Sequence, residues 1–368
     1  MGVAVGIDVA KEFHWVCAVD QDRAQVLLSR RVGNSPPAIA GLVDELEGLA
    51  ATRGPLTVGL DMMGGIAALL TAMLHEAGRH LVHVSGLAVN RAREGTSGGE
   101  HKSDPKDAAV IAELVRTKPG LRPIEAPCEL DAEIRLLAGR RRELVGDQTR
   151  RLARLRDLLS SVHPGLERVS DPTQKASLVL FTRYVTPGEI RRAGTRRLIA
   201  HLERAGHLRR AQIQALAEQA LTSAKAQQVA VPGERVAAGL VRELAGEALA
   251  VRERLLRLDA ELVAALERHP DAALILSLPG MGVALTAEFI AEAGRIERFP
   301  TADQLAGAAG LAPVLRQSGK VRFLRRAGGG NKRLKRVFYQ SAFCSLAHPA
   351  SRPSTNASGA RARPTTRR

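Results

Sequence analysis

The sequence predicts an α/β domain followed by a predominantly helical remainder. Short apolar runs near the start are separated by turn-forming residues. Two long central segments carry apolar residues at three- and four-residue spacing, and a later stretch alternates apolar helices with glycine turns. A chain of 368 residues exceeds one compact core. The pattern divides it into residues 1–128, 129–269, 270–348 and a tail, 349–368.

Residues 3–9 (VAVGIDV) read as a buried strand carrying Asp8 at its end. WVCAVD (15–20) and QVLLSRRV (25–32) read as two further strands, and the turn-formers between them predict antiparallel hairpins. Asn34-Ser35-Pro36-Pro37 opens a helix through about Leu49. LTVGL (56–60) is a fourth strand ending at Asp61. Gly64 and Gly65 lead into a helix from about Ile66 to Ala77, and LVHV (81–84) is a fifth strand.

In the middle, Val145, Leu152, Leu155, Leu159 and Val162 fall on one seam, with Gln148 at a seam position, and Leu244, Val251, Leu255, Leu258 and Leu262 fall on another. That spacing suits a coiled coil or a helical hairpin. Pro164, Pro172, Pro187 and Pro232 break the segment between them. Arg140-Arg141-Arg142, Arg150-Arg151, Arg191-Arg192 and Arg209-Arg210 line either a solvated face or a nucleic-acid groove. Residues 271–346 read as compact and mostly helical. The tail has no Val, Ile, Leu, Met or aromatic residue, so disorder is expected.

Lys and Arg total 54 against 38 acids, a net charge of +16, with a pI near 10.8. Codon bias in a GC-rich genome explains the choice of Arg over Lys, but not the excess over acids. A charge of that size points to a polyanionic partner. The three cysteines, Cys17, Cys128 and Cys344, show no paired spacing. They fit a reducing cytoplasm and exclude a disulfide framework or a cysteine zinc site. The start, MGVAVGIDVAKE, lacks the form of a signal peptide, and no long uncharged apolar run predicts a membrane span.

The chemistry-bearing residues begin with acids. Asp8 and Asp61 end strands, and Asp104-Pro105-Lys106-Asp107 opens the helix AAVIAELV, with Asp104 expected as N-cap and Pro105 as first helical residue. Taken singly, each acid has a plainer role: strand end, turn or cap. Together they match a ribonuclease H-like layout, in which three antiparallel strands precede a strand-four acid and a late helical acid pair. Such carboxylates suit one or two Mg²⁺ ions that hold a phosphodiester.

Toward the other end, Pro279-Gly280-Met281-Gly282 lies between two apolar helical segments. It reads as a helix-hairpin-helix whose glycines admit a phosphate, or as a plain interhelix turn. Nine basic residues and no acid lie between Arg316 and Arg336. Arg316, Lys320, Arg325, Arg326, Lys332 and Arg333, with Gly280 and Gly282, are the nucleic-acid-binding candidates. Ser318 sits in this stretch, read as a loop. It is either an ordinary loop serine or a nucleophile whose alkoxide the guanidiniums favour. Gly328-Gly329-Gly330 reads as a flexible turn or linker.

With these residues in view, the chain resembles the insertion-sequence-110 family, the DEDD transposases also described as bridge-RNA-guided recombinases. The resemblance is carried by GIDVAKEFHWVCAVD, GLDMMGG and KSDPKDAAVIAEL, then by LPGMGVALTAEFIAEAGRIERFPTADQLAGAAGLAP, QSG and GGGNKRLKR, and spans most of residues 1–348. It implies a RuvC-like nuclease domain with Asp8, Asp61, Asp104 and Asp107 as Mg²⁺ ligands, and a C-terminal transposase domain with Ser318 as nucleophile. It also implies homodimers or homotetramers in which the acids of one protomer meet the serine of another. A structured guide RNA would pair with donor and target DNA. The family's second acid is ordinarily Glu, whereas here it is Asp61, one methylene shorter. The family ordinarily continues past HPASR with a basic helix, whereas here low complexity follows, as in a truncated copy. The alternatives are a RuvC-like junction nuclease, which needs the acids but not Ser318, and an inactive remnant that only binds nucleic acid.

Overall fold

Valine, isoleucine and leucine buried on both sides make VAVGID and LTVGL neighbouring strands at the centre of a sheet. The computed structural model describes residues 2–62, 64–95, 103–126, 128–206, 209–319 and 321–346. The chain divides into two compact units, Met1–Pro127 and Cys128–Arg368.

The first unit holds β1 (Val3–Asp8), β2 (Phe13–Asp20), β3 (Val26–Gly33), β4 (Leu56–Leu60), β5 (His80–His83) and β6 (Arg122–Pro123). Their order in the sheet is β3-β2-β1-β4-β5-β6. β1, β2 and β3 pair antiparallel, as the hairpin spacing predicts; β4 and β5 add in parallel and β6 closes antiparallel. The helices are α1 (Pro36–Arg53), α2 (Ala68–Glu76), α3 (Gly86–Glu94) and α4 (Asp104–Thr117). α1 runs one turn beyond the expected end, to Arg53. The helix expected from Ile66 begins as a 3-10 turn, Gly65–Ala67, before becoming α2. α3 buries only Val89, so it carries little apolar signal in the sequence.

The strands alternate between two layers. Val3, Val5, Ile7, Val16 and Ala18 pack with Ile39, Leu42 and Leu46 of α1 and Leu70 and Leu74 of α2. The alternate residues Cys17 and Val19 meet Ala108 and Ala112 of α4. Gly6, paired with Cys17, shares that face. Gly6 and Gly59 are also partners between β1 and β4. A Cβ at Gly6 would lie 2.2 Å from both the Ala108 carbonyl oxygen and the Ala112 nitrogen, and one at Gly59 would lie 2.3 Å from Val115 Cγ2. The two glycines let α4 lie directly on the sheet.

The second unit is built on two 34-residue helices, α5 (Glu129–Val162) and α10 (Glu234–Glu267). Between them come α6 (Pro164–Val169), α7 (Lys175–Phe181), α8 (Pro187–Glu203) and α9 (Arg210–Ala226). After them come α11 (Ala272–Leu276), α12 (Val283–Ala293), α13 (Ala302–Ala308), β7 (Val314–Ser318), β8 (Val321–Arg325) and α14 (Lys332–Ser345). α5 and α10 run antiparallel: Asp131 meets His269 at 3.1 Å, Arg141 meets Asp259 at 2.5 Å and Arg151 meets Glu247 at 2.7 Å. The seam residues Leu155, Leu159, Val162, Val251 and Leu262 are buried, but Val145 is 40% exposed. Gln148 donates to the Ala248 carbonyl at 3.1 Å, which satisfies its polar group within the packed pair. One end of the pair packs with α6–α9. The other end contributes Ile134, Ala138, Leu262, Ala265 and Leu266 to a core shared with Phe289, Ile290, Leu334 and Val337.

Several of the clustered arginines have partners within the unit. Arg140, Arg141, Arg142, Arg150 and Arg151 all form ion pairs inside the unit. Arg191 donates to the carbonyls of Ala224 and Gln227. Among the described residues, no helix is long and apolar enough to cross a membrane. The tail, 349–368, and Lys320 lie outside the described residues.

Candidate functional site

Gly6-Ile7-Asp8 closes β1 and Gly59-Leu60 closes β4 with Asp61 the next residue; Gly6 pairs with Gly59 and Ile7 with Leu60. Because side chains alternate along a strand, Asp8 projects to the same face as Gly6. On that face α4 approaches with its N-terminal end, and Asp107 precedes Ala108, one of the two residues whose backbone lies against Gly6. The helix begins at Asp104 with Ser103 as N-cap, so Asp104 is its first residue rather than the expected cap, and Pro105 is the second. Asp104 and Asp107 lie three residues apart in the first turn, where the helix dipole favours anions.

Asp61 follows β4, and its carboxyl is partly buried. Burial pushes it above its ordinary value, and the Asp107 charge adds to that; backbone groups of Val9 and Asp61 and the His83 ring pull the other way. Its Oδ1 is buried with no hydrogen-bond partner. A buried carboxylate oxygen without a donor, close to further carboxylates, is what a hard divalent cation satisfies, so the residues present fit such an ion. His83, opposite Leu60 in β5, is a neighbour that residue type and spacing did not single out. Burial, and then Arg122, lower its pKa, while Asp61 opposes them. Its only sequence signal is its position near the end of LVHV.

Asp107 is 5% exposed and already has a cationic partner. Arg93 Nη1 donates to Asp107 Oδ1 at 2.7 Å and to Oδ2 at 3.0 Å. Among the described residues no three His, Cys, Asp or Glu side chains close around one point suited to a metal. The strands and α4 bring the acids to one end of the sheet, but the arginine holds Asp107.

In the second unit, Ser318 ends β7 and does not sit in a loop. The alternating VLRQS and VRFLR pair antiparallel as β7 and β8, and Gly319, which follows Ser318, has φ +56°. All ten strand residues are exposed. Ser318 opposes Val321, Arg316 opposes Phe323 and Val314 opposes Arg325. Opposed residues share a face, so Ser318 lies on the same face as Arg316 and Arg325. Arg316, Arg325, Arg326 and Lys332 are exposed. Arg333 pairs with Glu292 at 3.2 Å.

Gly280 and Gly330 serve intramolecular approaches. Gly280 has φ +79°, and a Cβ there would lie 2.2 Å from the Ser341 carbonyl oxygen of α14. Gly282 has nothing within 4 Å. Gly330 packs against Gly310, where a Cβ would lie 2.4 Å from the Gly310 nitrogen, so the glycine run is a docked turn and not a linker.

Two family models match the chain: the DEDD transposase model of IS110 over residues 5–164 and the transposase model of the IS116/IS110/IS902 family over residues 272–366. An uncharacterised protein of insertion element IS900 from Mycobacterium paratuberculosis is 40% identical over 355 residues, 95% of this chain and 87% of the relative. One of insertion element IS116 from Streptomyces clavuligerus is 38% identical over 352 residues, 94% of this chain and 85% of the relative. A putative transposase for IS117 from a Streptomyces coelicolor mini-circle is 30% identical, over 94% of this chain and 84% of the relative. Among solved structures, T. thermophilus RuvC in complex with a Holliday junction substrate aligns over 34% of this chain and 100% of its own, at 16% identity and a TM-score of 0.27. The family models at both ends, and relatives alike over nearly the whole length, lead to one conclusion: this chain belongs to the IS110 family of insertion-element transposases.

Proposed function

We propose that the protein cuts and rejoins DNA at an insertion element, using carboxylate-bound Mg²⁺ and Ser318. What supports this reading is the in-register pair Gly6 and Gly59 seated under α4, with Asp8 ending β1, Asp61 following β4, and Asp104 and Asp107 in the first turn of α4. When bound, a divalent ion supplies charge neutralisation at the scissile phosphate and at the leaving oxygen. Asp8 at the end of β1 and Asp61 just after β4 would hold it, together with Asp104 and Asp107 of α4.

Ser318 Oγ attacks phosphorus, its proton passes to water, and the departing strand oxygen takes a proton as the P–O bond breaks. A hydroxyl of the incoming strand reverses the step and releases the serine. Arg316 and Arg325, on the serine's face, offset charge on the pentacoordinate phosphorus. Arg326, Lys320, Lys332 and Arg333, with the Gly280–Gly282 turn as a helix-hairpin-helix, contribute to nucleic-acid binding. The α5–α10 pair acts as a coiled coil in a homodimer or homotetramer, and a structured guide RNA selects donor and target. These parts of the reading rest on family membership and on the basic surface.

The test uses the full chain with its cognate RNA, Mg²⁺ and labelled donor DNA. Wild type should give a protein–DNA adduct that survives denaturation. Ser318→Ala should give neither adduct nor strand exchange, and Asp104→Ala should not cleave. Cleavage retained in Ser318→Ala would favour a junction nuclease. Failure of wild type to cleave would favour a remnant that only binds.

A further inference from the structure

We infer that Arg93 occupies the place of a divalent cation at Asp107, so that a metal must displace its guanidinium to bind. The inference rests on the carboxylate site proposed above and adds a control to it. Arg93 lies in the last turn of α3 and Asp107 in the first turn of α4. One guanidinium nitrogen spans both carboxylate oxygens, at 2.7 and 3.0 Å, and the other is held by Asn90 Oδ1 at 2.9 Å. The two side chains are 13% and 7% exposed, so solvent screens the pair little.

Those oxygens are the ones Asp107 would present to a metal. Arginine does not lose its proton at any working pH, so its charge leaves only by movement of the side chain. A divalent ion approaching Asp8 and Asp61 therefore meets a fixed positive charge and a carboxylate already engaged. Among the described residues no three acidic side chains surround one point, as expected if Asp107 is turned toward Arg93. The Oδ1 of Asp61 is meanwhile buried and unsatisfied. A planar guanidinium released from a carboxylate has an equivalent partner in a backbone phosphate. Nucleic-acid binding that draws Arg93 away thus favours metal binding, and by linkage the reverse holds. The arrangement keeps the nuclease centre unloaded until its substrate arrives.

The probe is Mn²⁺, followed by loss of its free-ion electron paramagnetic resonance signal as the full-length protein is titrated without nucleic acid. Arg93→Gln keeps an amide donor near Asp107 but removes the charge. It should bind Mn²⁺ about tenfold more tightly than wild type, the scale of one charge-assisted hydrogen bond. Mn²⁺ should also raise its melting temperature more than it raises that of wild type. Arg93→Lys, a point charge with a weaker hold, should fall between them, and it decides the question if Arg93→Gln does not fold. Arg93→Gln combined with Asp107→Asn should lose the tight site. Equal or weaker Mn²⁺ binding in Arg93→Gln overturns the inference. If uptake is then still lost when Asp107 is replaced, the metal reading stands without it. If replacing Asp107 changes nothing, both fail.

Discussion

Gly6 and Gly59 lie side by side in neighbouring parallel strands, and each leaves room for a different part of α4. Gly6 clears the helix backbone at Ala108 and Ala112, whereas Gly59 clears the methyl of Val115 and, at 3.1 Å, that of Ile111. The glycine that meets backbone is the one whose strand ends in Asp8. Its neighbour in the helix follows Asp107. The spacing of this approach therefore sets the spacing of the proposed metal ligands.

Gly6→Ala cannot be relieved by a rotamer change, because backbone does not give. It should destabilise the first unit by roughly 3 kcal/mol and reduce Mn²⁺ binding. Gly59→Ala meets side-chain ends and should cost about 1 kcal/mol. Urea unfolding of both variants checks the order, and equal losses would contradict it.

Asp61 is predicted to make stability fall as pH rises. Its carboxyl is raised by burial in the folded chain, so the folded state binds its proton more tightly than the unfolded chain does. The penalty for charging it is absent below the unfolded value, grows between the two values and is complete above the folded one. Asp61→Asn should therefore raise the melting temperature in EDTA at pH 8, by less at pH 4, while abolishing cleavage. Melting curves at both pH values check this; a gain that does not shrink in acid would be inconsistent with it.

Gly280 and Gly282 separate packing from binding. Gly280→Ala combines φ +79° with a clash on the Ser341 carbonyl and should cost about 2 kcal/mol or more. Gly282→Ala has open space around it and should leave stability within about 0.5 kcal/mol. If the turn receives a phosphate, Gly282→Ala lowers DNA affinity at unchanged melting temperature.

Arg316, Arg325 and Arg326 should differ from Arg141 in what they support. Replacing the three by Ala should flatten the dependence of log DNA affinity on log salt by about 0.9 for each phosphate no longer neutralised. Arg141, paired with Asp259 and partly exposed, should leave that slope unchanged and cost about 0.5–1 kcal/mol. Filter binding across a salt series, with thermal melts, distinguishes them.

Much of the first unit was legible because its strands are short, apolar and bounded by turn residues. β4 falls where LTVGL predicts it, Asp8 ends β1 as expected, and Asp61 lies one residue past the end of β4. α3 and β6 were not legible, since one buries a single residue and the other has only two. The β7–β8 hairpin was hidden because both its faces are exposed, so burial imposes no apolar alternation on it. The seam on α5 overreached at Val145, whose side chain is 40% exposed. Arg93 gave no signal because its meaning lies in a partner fourteen residues away.

Local pattern and residue type suffice for the family, the basic character, the sheet strands and the acids at their ends. Only the folded chain settles which glycines clear a helix backbone, that Ser318 shares a face with Arg316, and that Asp107 is held by an arginine. Such relations depend on segments meeting after the chain has folded back, and steric fit and charge at those meetings leave no periodic trace along it.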